Sequence, residues 1–242
     1  MNPNTEIENR HLAAYLTLRK GIGYLGLALP FILGIGGMLL ANPGLRSSVS
    51  AYYHTGLGDV FVGTIFTIGI FLFAYRGYEP KDDRAGDFAC FCAIGLALFP
   101  TLPDMGDTPR GIGPIFSPAT AVVSEKIIAG VHFVFAGGFF LTLAYFSICL
   151  FTKSEGEKTP KKHQRNRVYR ACGYVMLLAL ALIALEVSIQ KLELLPEATL
   201  STIASLHPRF WLESIAMLAF SLSWWVKGEA ILKDEIRPLP SS

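Results

Sequence analysis

Six long runs without a charged residue recur along the chain, and polar segments separate each run from the next. A helix needs roughly 20 residues to cross about 30 Å of hydrocarbon, a length that several of these runs approach or exceed. Only 17% of the 242 residues are charged, whereas about 25% are charged in an ordinary soluble domain. The pattern predicts a membrane protein, and the runs cover residues 21–45, 60–75, 88–103, 127–152, 171–185 and 214–226.

The predicted fold class is all-α: a polytopic membrane protein whose single domain, residues 1–242, is a bundle of six transmembrane helices. The first run is longer than the apolar core of a signal peptide, so we expect it to remain as an uncleaved first helix. Glycines are frequent in the first and fourth runs, which predicts that these two helices pack closely together. With the short runs extended to spanning length, the helices fall at about residues 21–41, 57–76, 85–103, 125–152, 169–190 and 207–227.

The Lys and Arg residues divide unequally between the two sides of this bundle. If the N-terminus is inside, 16 of the 21 lie on the cytoplasmic side and five on the outer side. Basic residues concentrate in cytoplasmic loops, so both termini are predicted to be cytoplasmic, with a basic cytoplasmic loop at 153–170. Topology accounts for the charge of this loop, and we expect membrane lipids rather than nucleic acid as partners. The predicted location is the inner (plasma) membrane of a bacterium.

Ionisable residues within or beside the helices gather on the predicted outer side. Several runs are too short to span, and extending them draws Asp59, Glu186 and Glu213 into helix ends. His132 lies five residues into the fourth run and seven after Glu125, so these two share a helix face about 10 Å apart. Because charge in lipid is costly, such residues indicate a functional site. For His132, a neutral ring bonded to a neighbouring helix is an equally good interpretation.

The densest polar segment beside a membrane helix is 47–59, which contains Ser50, His54 and Asp59. If 50–54 is helical, Ser50 and His54 share a face. Serine, histidine and carboxylate can form a nucleophile and its base, or the histidine and aspartate can bind a metal whose water attacks. The alternative is a hydroxyl-rich loop whose tyrosines belong to the aromatic belt of the membrane interface.

Three further residues on the outer side support a site. Asp104 and Asp107 lie in a loop rich in proline and glycine, where they could supply oxygen ligands or belong to a rigid turn. His207 directly precedes Pro208 at the start of the sixth helix. With eight carboxylates against five basic residues, the outer side is acidic, which favours a cation or metal over an anionic soluble substrate.

The stretch Ser50-Ala-Tyr-Tyr-His54 has a serine-x-x-x-histidine form and resembles the second-helix motif of the CREST membrane hydrolases, the ceramidase and progestin-receptor-like superfamily. The resemblance implies a zinc site that cleaves amide bonds in lipids, with Ser50 and His54 at the matching positions. Asp59 corresponds loosely to the family's aspartate, which lies on another helix. Two features depart from the family: Trp211 follows His207 where a second histidine is expected, and six spans replace seven.

Three functions are compatible with these features. The favoured one is a metal-dependent hydrolase or lipid-modifying enzyme with an outward-facing polar pocket and a lipid substrate at the outer leaflet. An ion- or proton-coupled transporter or sensor is the first alternative, and a non-catalytic structural membrane protein is the second. In the enzyme, Ser50, Asp59 and Glu213 are the candidate catalytic residues, His54, His132 and His207 the candidate zinc ligands, and Glu186, Glu125, Asp104 and Asp107 the supporting residues.

Overall fold

The computed structural model describes residues 3–40, 44–77, 79–107, 110, 125–154 and 159–233, and every regular element in these ranges is helical. The prediction of an all-α fold is therefore confirmed, and each of the six predicted segments overlaps a long helix. The elements are α1 (Pro3–Leu40), a 3₁₀ helix (Ser50–His54), α2 (Gly58–Phe73), α3 (Pro80–Leu98), α4 (Glu125–Tyr145) with a π-helical continuation (Phe146–Leu150), α5 (Pro160–Lys191), α6 (Glu197–Ser205) and α7 (Pro208–Lys227).

Three helical stretches in the described part of the chain have the length and apolar composition needed to cross a membrane. They are Arg10–Leu40, Glu125–Leu150 and Pro160–Lys191. Gly58–Phe73 is also apolar but shorter. A membrane location is therefore compatible with the lengths and compositions of these helices.

Several helix boundaries differ from the predicted ones. Helix α5 begins at Pro160 rather than at 169, because the Thr159 side chain accepts a hydrogen bond from the Lys162 N–H and proline suits the first helical position. Much of the predicted loop 153–170 is therefore the polar first part of α5. Helix α1 likewise begins at Pro3 instead of 21. Helix α6, which follows Pro196, was not predicted.

Consecutive long helices alternate in direction, so their ends meet at two opposite ends of the bundle. At one end Tyr15 of α1 stacks on Tyr75, which follows α2. At the other, Gly37 of α1 lies against the ring of Tyr52 in the 3₁₀ helix. We call the first the lysine end, marked by Asp82, Lys153 and Lys162, and the second the histidine end, marked by His54 and His132.

Helix α1 packs chiefly against α7 and α2, so the prediction that it pairs with the fourth helix was wrong. A Cβ added at Gly26 would lie 2.7 Å from the Phe220 ring and from Ser221 Oγ, both on α7. Glycine is therefore required at this approach. A glycine shows that something comes close to the helix, but its sequence position does not show which helix that is.

The lysine end is closely packed. Asp82 is only 1% exposed, and its Oδ1 accepts a 2.6 Å hydrogen bond from Lys153 Nζ. Lys162 Nζ donates to the carbonyl oxygens of Phe151 and Lys153 at 2.9 and 2.8 Å. Beneath these contacts lies a core of mutually packed aromatic rings, formed by Tyr75, Phe146, Phe151 and Trp224. Polar side chains here hold helices together above a filled interior.

Candidate functional site

A cavity of about 370 Å³ begins at the histidine end and extends into the bundle between α2, α3, α4, α5 and α7. Its volume lies within the roughly 300–1,000 Å³ common for small-molecule sites. Most of its wall is apolar, and four polar side chains line it. The polar residues are Ser50, His132, Ser188 and Glu213, and the apolar ones include Phe61, Leu96, Phe133, Phe140, Ile183 and Met217.

The 3₁₀ helix brings Ser50 to this cavity. Its first turn is held by Ser48 Oγ, which accepts from the Ala51 N–H at 2.9 Å, and by Glu213 Oε2, which accepts from the Ser50 N–H at 3.2 Å. A 3₁₀ helix has three residues per turn, so side chains at 50 and 54 point about 120° apart. The helical expectation for 50–54 is confirmed, but Ser50 and His54 do not share a face, and His54 does not line the cavity.

His132 both bonds to a neighbouring segment and lines the cavity. The residue is 1% exposed, and its Nδ1 donates to the Phe99 carbonyl at 2.7 Å, directly after α3. This bond fixes the tautomer, so that Nε2 of the neutral ring carries a lone pair. Among the described residues, no hydrogen-bond partner occupies Nε2. The ring is therefore oriented by the protein while one nitrogen is left for a ligand.

His54, in contrast, uses both ring nitrogens to fix backbone. Its Nε2 donates to the Thr101 carbonyl at 2.7 Å, and its Nδ1 accepts from the Arg110 N–H at 3.0 Å. Burial lowers the pKa of His54 below its usual 6.5, while the hydrogen bond to Thr101 acts in the opposite direction. The ring is thus held neutral and holds the segment after α3 in place.

Three predicted carboxylates are engaged in ion pairs or hydrogen bonds. Asp104 accepts from the N–H of Ser47 at 2.8 Å and from its hydroxyl at 2.5 Å. Asp107 pairs with Arg46 at 2.7 Å, and burial raises the pKa of the Asp107 carboxyl, with Arg46 opposing that rise. Asp59 pairs with Arg110 at 2.9 Å on the surface, with its side chain 88% exposed, and it does not line the cavity.

Glu186 is clamped by α7. Arg209 Nε and one terminal nitrogen donate to its two carboxylate oxygens at 2.7 and 3.2 Å, and the same terminal nitrogen donates to Gln190 Oε1 at 2.8 Å. Gln190 donates to Glu186 in turn. This bidentate contact fastens α5 and α7 together at the histidine end. Glu125 lies exposed in the first turn of α4.

His207 precedes α7 in a left-handed conformation, with φ 50° and ψ 49°. Its Nδ1 is buried and has no hydrogen-bond partner in the described part of the chain, and the residue does not line the cavity. The three histidines expected to bind zinc therefore lie at three different places. Only His132 is in the cavity wall.

The residues do not fit the expected zinc site. In the described ranges, no three His, Cys, Asp or Glu side chains form a group that could hold a metal ion. Both nitrogens of His54 and one of His132 are already in hydrogen bonds to the backbone. We therefore derive no chemical step through a metal here. The zinc expectation stays a prediction, which metal analysis of purified protein tests.

Sequence reasoning found Ser50, His132 and Glu213 but missed the rest of the cavity. Its apolar wall gives no signal, because an apolar residue is expected on every face of a membrane helix. Ser188 could have been found, since it is a polar residue near the outer end of the fifth apolar run. Comparison with protein-family models, curated proteins and solved structures gives no match for the chain. The resemblance to the CREST hydrolases stays a prediction.

Proposed function

We propose that the protein is an integral membrane enzyme that hydrolyses or otherwise modifies a lipid-like molecule bound in this cavity. The observation that carries the proposal is the composition of the cavity wall, in which apolar side chains from five helices meet Ser50, His132 and Glu213. Such walls suit an amphipathic ligand, with polar groups to orient and act on its head. We further propose six membrane spans with the histidine end outside.

General acid–base catalysis is the chemistry that these residues support. Nε2 of His132 is the proposed base, which takes a proton from the attacking water or hydroxyl group. The Ser50 hydroxyl would hold that nucleophile, and Glu213 would bind or protonate the group that leaves. No step needs a nitrogen that the protein already uses, because Nδ1 of His132 is the atom bonded to Phe99.

The cavity reaches the side of the bundle between α4 and α5. Its lining residues Phe133, Ala184 and Ser188 are exposed there. Both helices belong to the stretches with the length and composition of a membrane span. In the proposed membrane arrangement this opening faces hydrocarbon, so a lipid can enter without leaving the membrane.

The interior beyond the cavity supports an enzyme more than a conduction path. Met217 lines the cavity, and Trp224 lies seven residues further along α7, about 10 Å toward the lysine end. There Trp224 packs against Phe151 and Tyr75. An ion path toward the lysine end would have to pass this aromatic core, which offers little to replace the water around an ion.

Turnover of membrane lipids by the purified protein tests the proposal. We would place the full chain in nanodiscs made from total membrane lipid of the expression host and identify new products by mass spectrometry. Wild type should form a product, and Glu213→Gln should reduce its rate by about 10²–10⁴-fold. Glu197→Gln, on the exposed helix α6, is the matched control. Equal rates in wild type, Glu213→Gln and protein-free nanodiscs would contradict the proposal.

A further inference from the structure

The cavity wall offers hydrogen-bond acceptors more than donors. Among the described residues that line it, none is Lys or Arg. The Nδ1–H of His132 is committed to Phe99, which leaves Nε2 as an acceptor. Glu213 contributes a carboxyl group, and the Ser50 hydroxyl can donate or accept. A ligand head in this place meets the Nε2 acceptor of His132, the Glu213 carboxyl group and the Ser50 hydroxyl.

The guanidinium group of Arg209 does not supply a cation to the cavity. Arg209 lies one turn before Glu213 on α7, but it donates to Glu186 and Gln190. Arg209 also does not line the cavity. An anionic head would therefore be buried without a cation beside it, a costly arrangement in an apolar surrounding.

The dimensions of the cavity suit a ligand with a single hydrocarbon chain. The volume, about 370 Å³, is near the lower limit of the roughly 300–1,000 Å³ range of ligand sites. His132 and Phe140 both line it and lie eight residues, about 12 Å, apart along α4. Polar residues are concentrated at the histidine end and apolar ones deeper. The opening between α4 and α5 leaves the remainder of a long tail in the membrane.

We propose that the ligand of this cavity is a single-chain amphiphile whose head donates hydrogen bonds and carries no negative charge, such as a long-chain amine or alcohol. This inference rests on the proposed function for the role of the cavity as the reaction site, where such an amine or alcohol is the group released when water cleaves its amide or ester. The head lies at His132 and Glu213, and the tail lies along Phe140 and Met217. Heads bearing a carboxylate or phosphate are disfavoured, because the described cavity wall offers them no cation.

Four probes with the same tail and different heads test this selectivity. Tetradecylamine, tetradecan-1-ol, tetradecanoic acid and tetradecyl phosphate would compete with tritiated tetradecan-1-ol for the full chain in phosphatidylcholine nanodiscs, at equal mole fractions in the lipid. We expect the amine and alcohol to compete at least about tenfold better than the two anions. Competition by either anion as good as that of the alcohol would overturn the inference.

Three variants show where and why the probes bind. Ala184→Phe fills the opening and should weaken binding of tetradecan-1-ol at least about tenfold. Ala181→Phe, one turn away on the exposed face of α5 and outside the cavity wall, should bind as wild type does. Glu213→Gln, which keeps the size of the side chain and is neutral, should keep a preference of at least about tenfold against tetradecanoic acid, because the described cavity wall offers that acid no cation. Wild-type binding in Ala184→Phe, or loss of the preference in Glu213→Gln, would overturn the inference.

The inferred ligand class and the proposed enzyme function can be contradicted separately. If the alcohol and amine bind selectively but no lipid is converted, the proposed enzyme function is wrong and the ligand class stands. If a product forms from an anionic lipid in wild type and not in Glu213→Gln, the ligand class is wrong and the enzyme function stands.

Discussion

The histidine end and the lysine end of the bundle both bury polar side chains, but they use them differently. At the lysine end, Asp82 is held by Lys153, and Lys162 donates to two carbonyl oxygens above a filled aromatic core. At the histidine end, His132 and Glu213 border a cavity of about 370 Å³. A buried polar residue by itself indicates a partner, whereas a buried polar residue beside a cavity indicates a ligand.

The histidine end also contains buried polar side chains that bond to other parts of the protein and do not border the cavity. Glu186 is clamped by Arg209, and both nitrogens of His54 hold backbone. These residues resemble the lysine end in their role, and they place the cavity wall rather than form it. The distinction between residues bonded within the protein and residues that line the cavity therefore applies within the histidine end as well as between the two ends.

The largest expected effect is on turnover at the histidine end. His132→Gln should lower the rate of product formation by about 10²–10⁴-fold, because the proposed base is lost. The exposed His11→Gln is the control and should keep the wild-type rate. Product analysis by mass spectrometry measures both. Unchanged turnover in His132→Gln would show that His132 takes no part in the reaction and only holds the structure together.

At the lysine end, the expected effect is on stability instead. Asp82→Asn should destabilise the protein by about 3 kcal/mol, because it breaks a buried ion pair with Lys153. Asp87→Asn on the same helix, with a half-exposed carboxylate 3.9 Å from Arg76, should cost less than about 0.5 kcal/mol. Thermal unfolding in detergent measures the difference. The preference among the tetradecyl probes should not change, and a changed preference would contradict the separation of the two ends.

A smaller loss of stability is expected where the histidine end is fastened. Arg209→Lys should cost about 1 kcal/mol, because a single ammonium cannot reproduce the two parallel bonds to Glu186. Arg84→Lys, at an exposed position of α3, should change stability by less than about 0.5 kcal/mol. Equal unfolding temperatures for the two variants would show that the clamp is not a structural contact of the kind described.

The smallest effect is a pH dependence that His54 contributes. Its folded pKa lies below the unfolded value of 6.5, so the unfolded chain binds the extra proton first as the pH falls. The contribution of His54 to stability should be complete above pH 6.5 and should decrease below it. His54→Gln should therefore lose less stability than wild type between pH 7 and pH 5. The same change of stability with pH in wild type and His54→Gln, measured by thermal unfolding, would contradict this role of His54.

Much of the fold was predictable because uncharged apolar runs mark the six long helices directly. The polar start of α1 and the polar first part of α5 carry no hydropathy signal, although the Thr159-Pro160 pair is a recognisable helix start. The partner of Gly26 could not be predicted, because the sequence shows that a close approach occurs but not between which helices.

For the candidate site, the sequence pointed to the end of the bundle where the cavity lies, and three of the residues it singled out line that cavity. It could not separate His132 from His54, because their difference lies in which nitrogens the backbone uses. That depends on the carbonyls of Phe99 and Thr101, whose positions follow from the packing of α3. Asp59 was drawn inward by the span length needed for α2, yet it lies exposed where α2 begins.

Photolabelling locates the proposed ligand most directly. A tetradecan-1-ol carrying a diazirine near the end of its tail would be irradiated with the full chain in nanodiscs, and the labelled residues would be identified by mass spectrometry. We predict labelling of cavity residues such as Phe140, Leu180 and Met217, suppressed by excess tetradecan-1-ol. Labelling confined to exposed residues of α1 such as Ile35 and Leu39, with no suppression by the competitor, would contradict the cavity as the binding site.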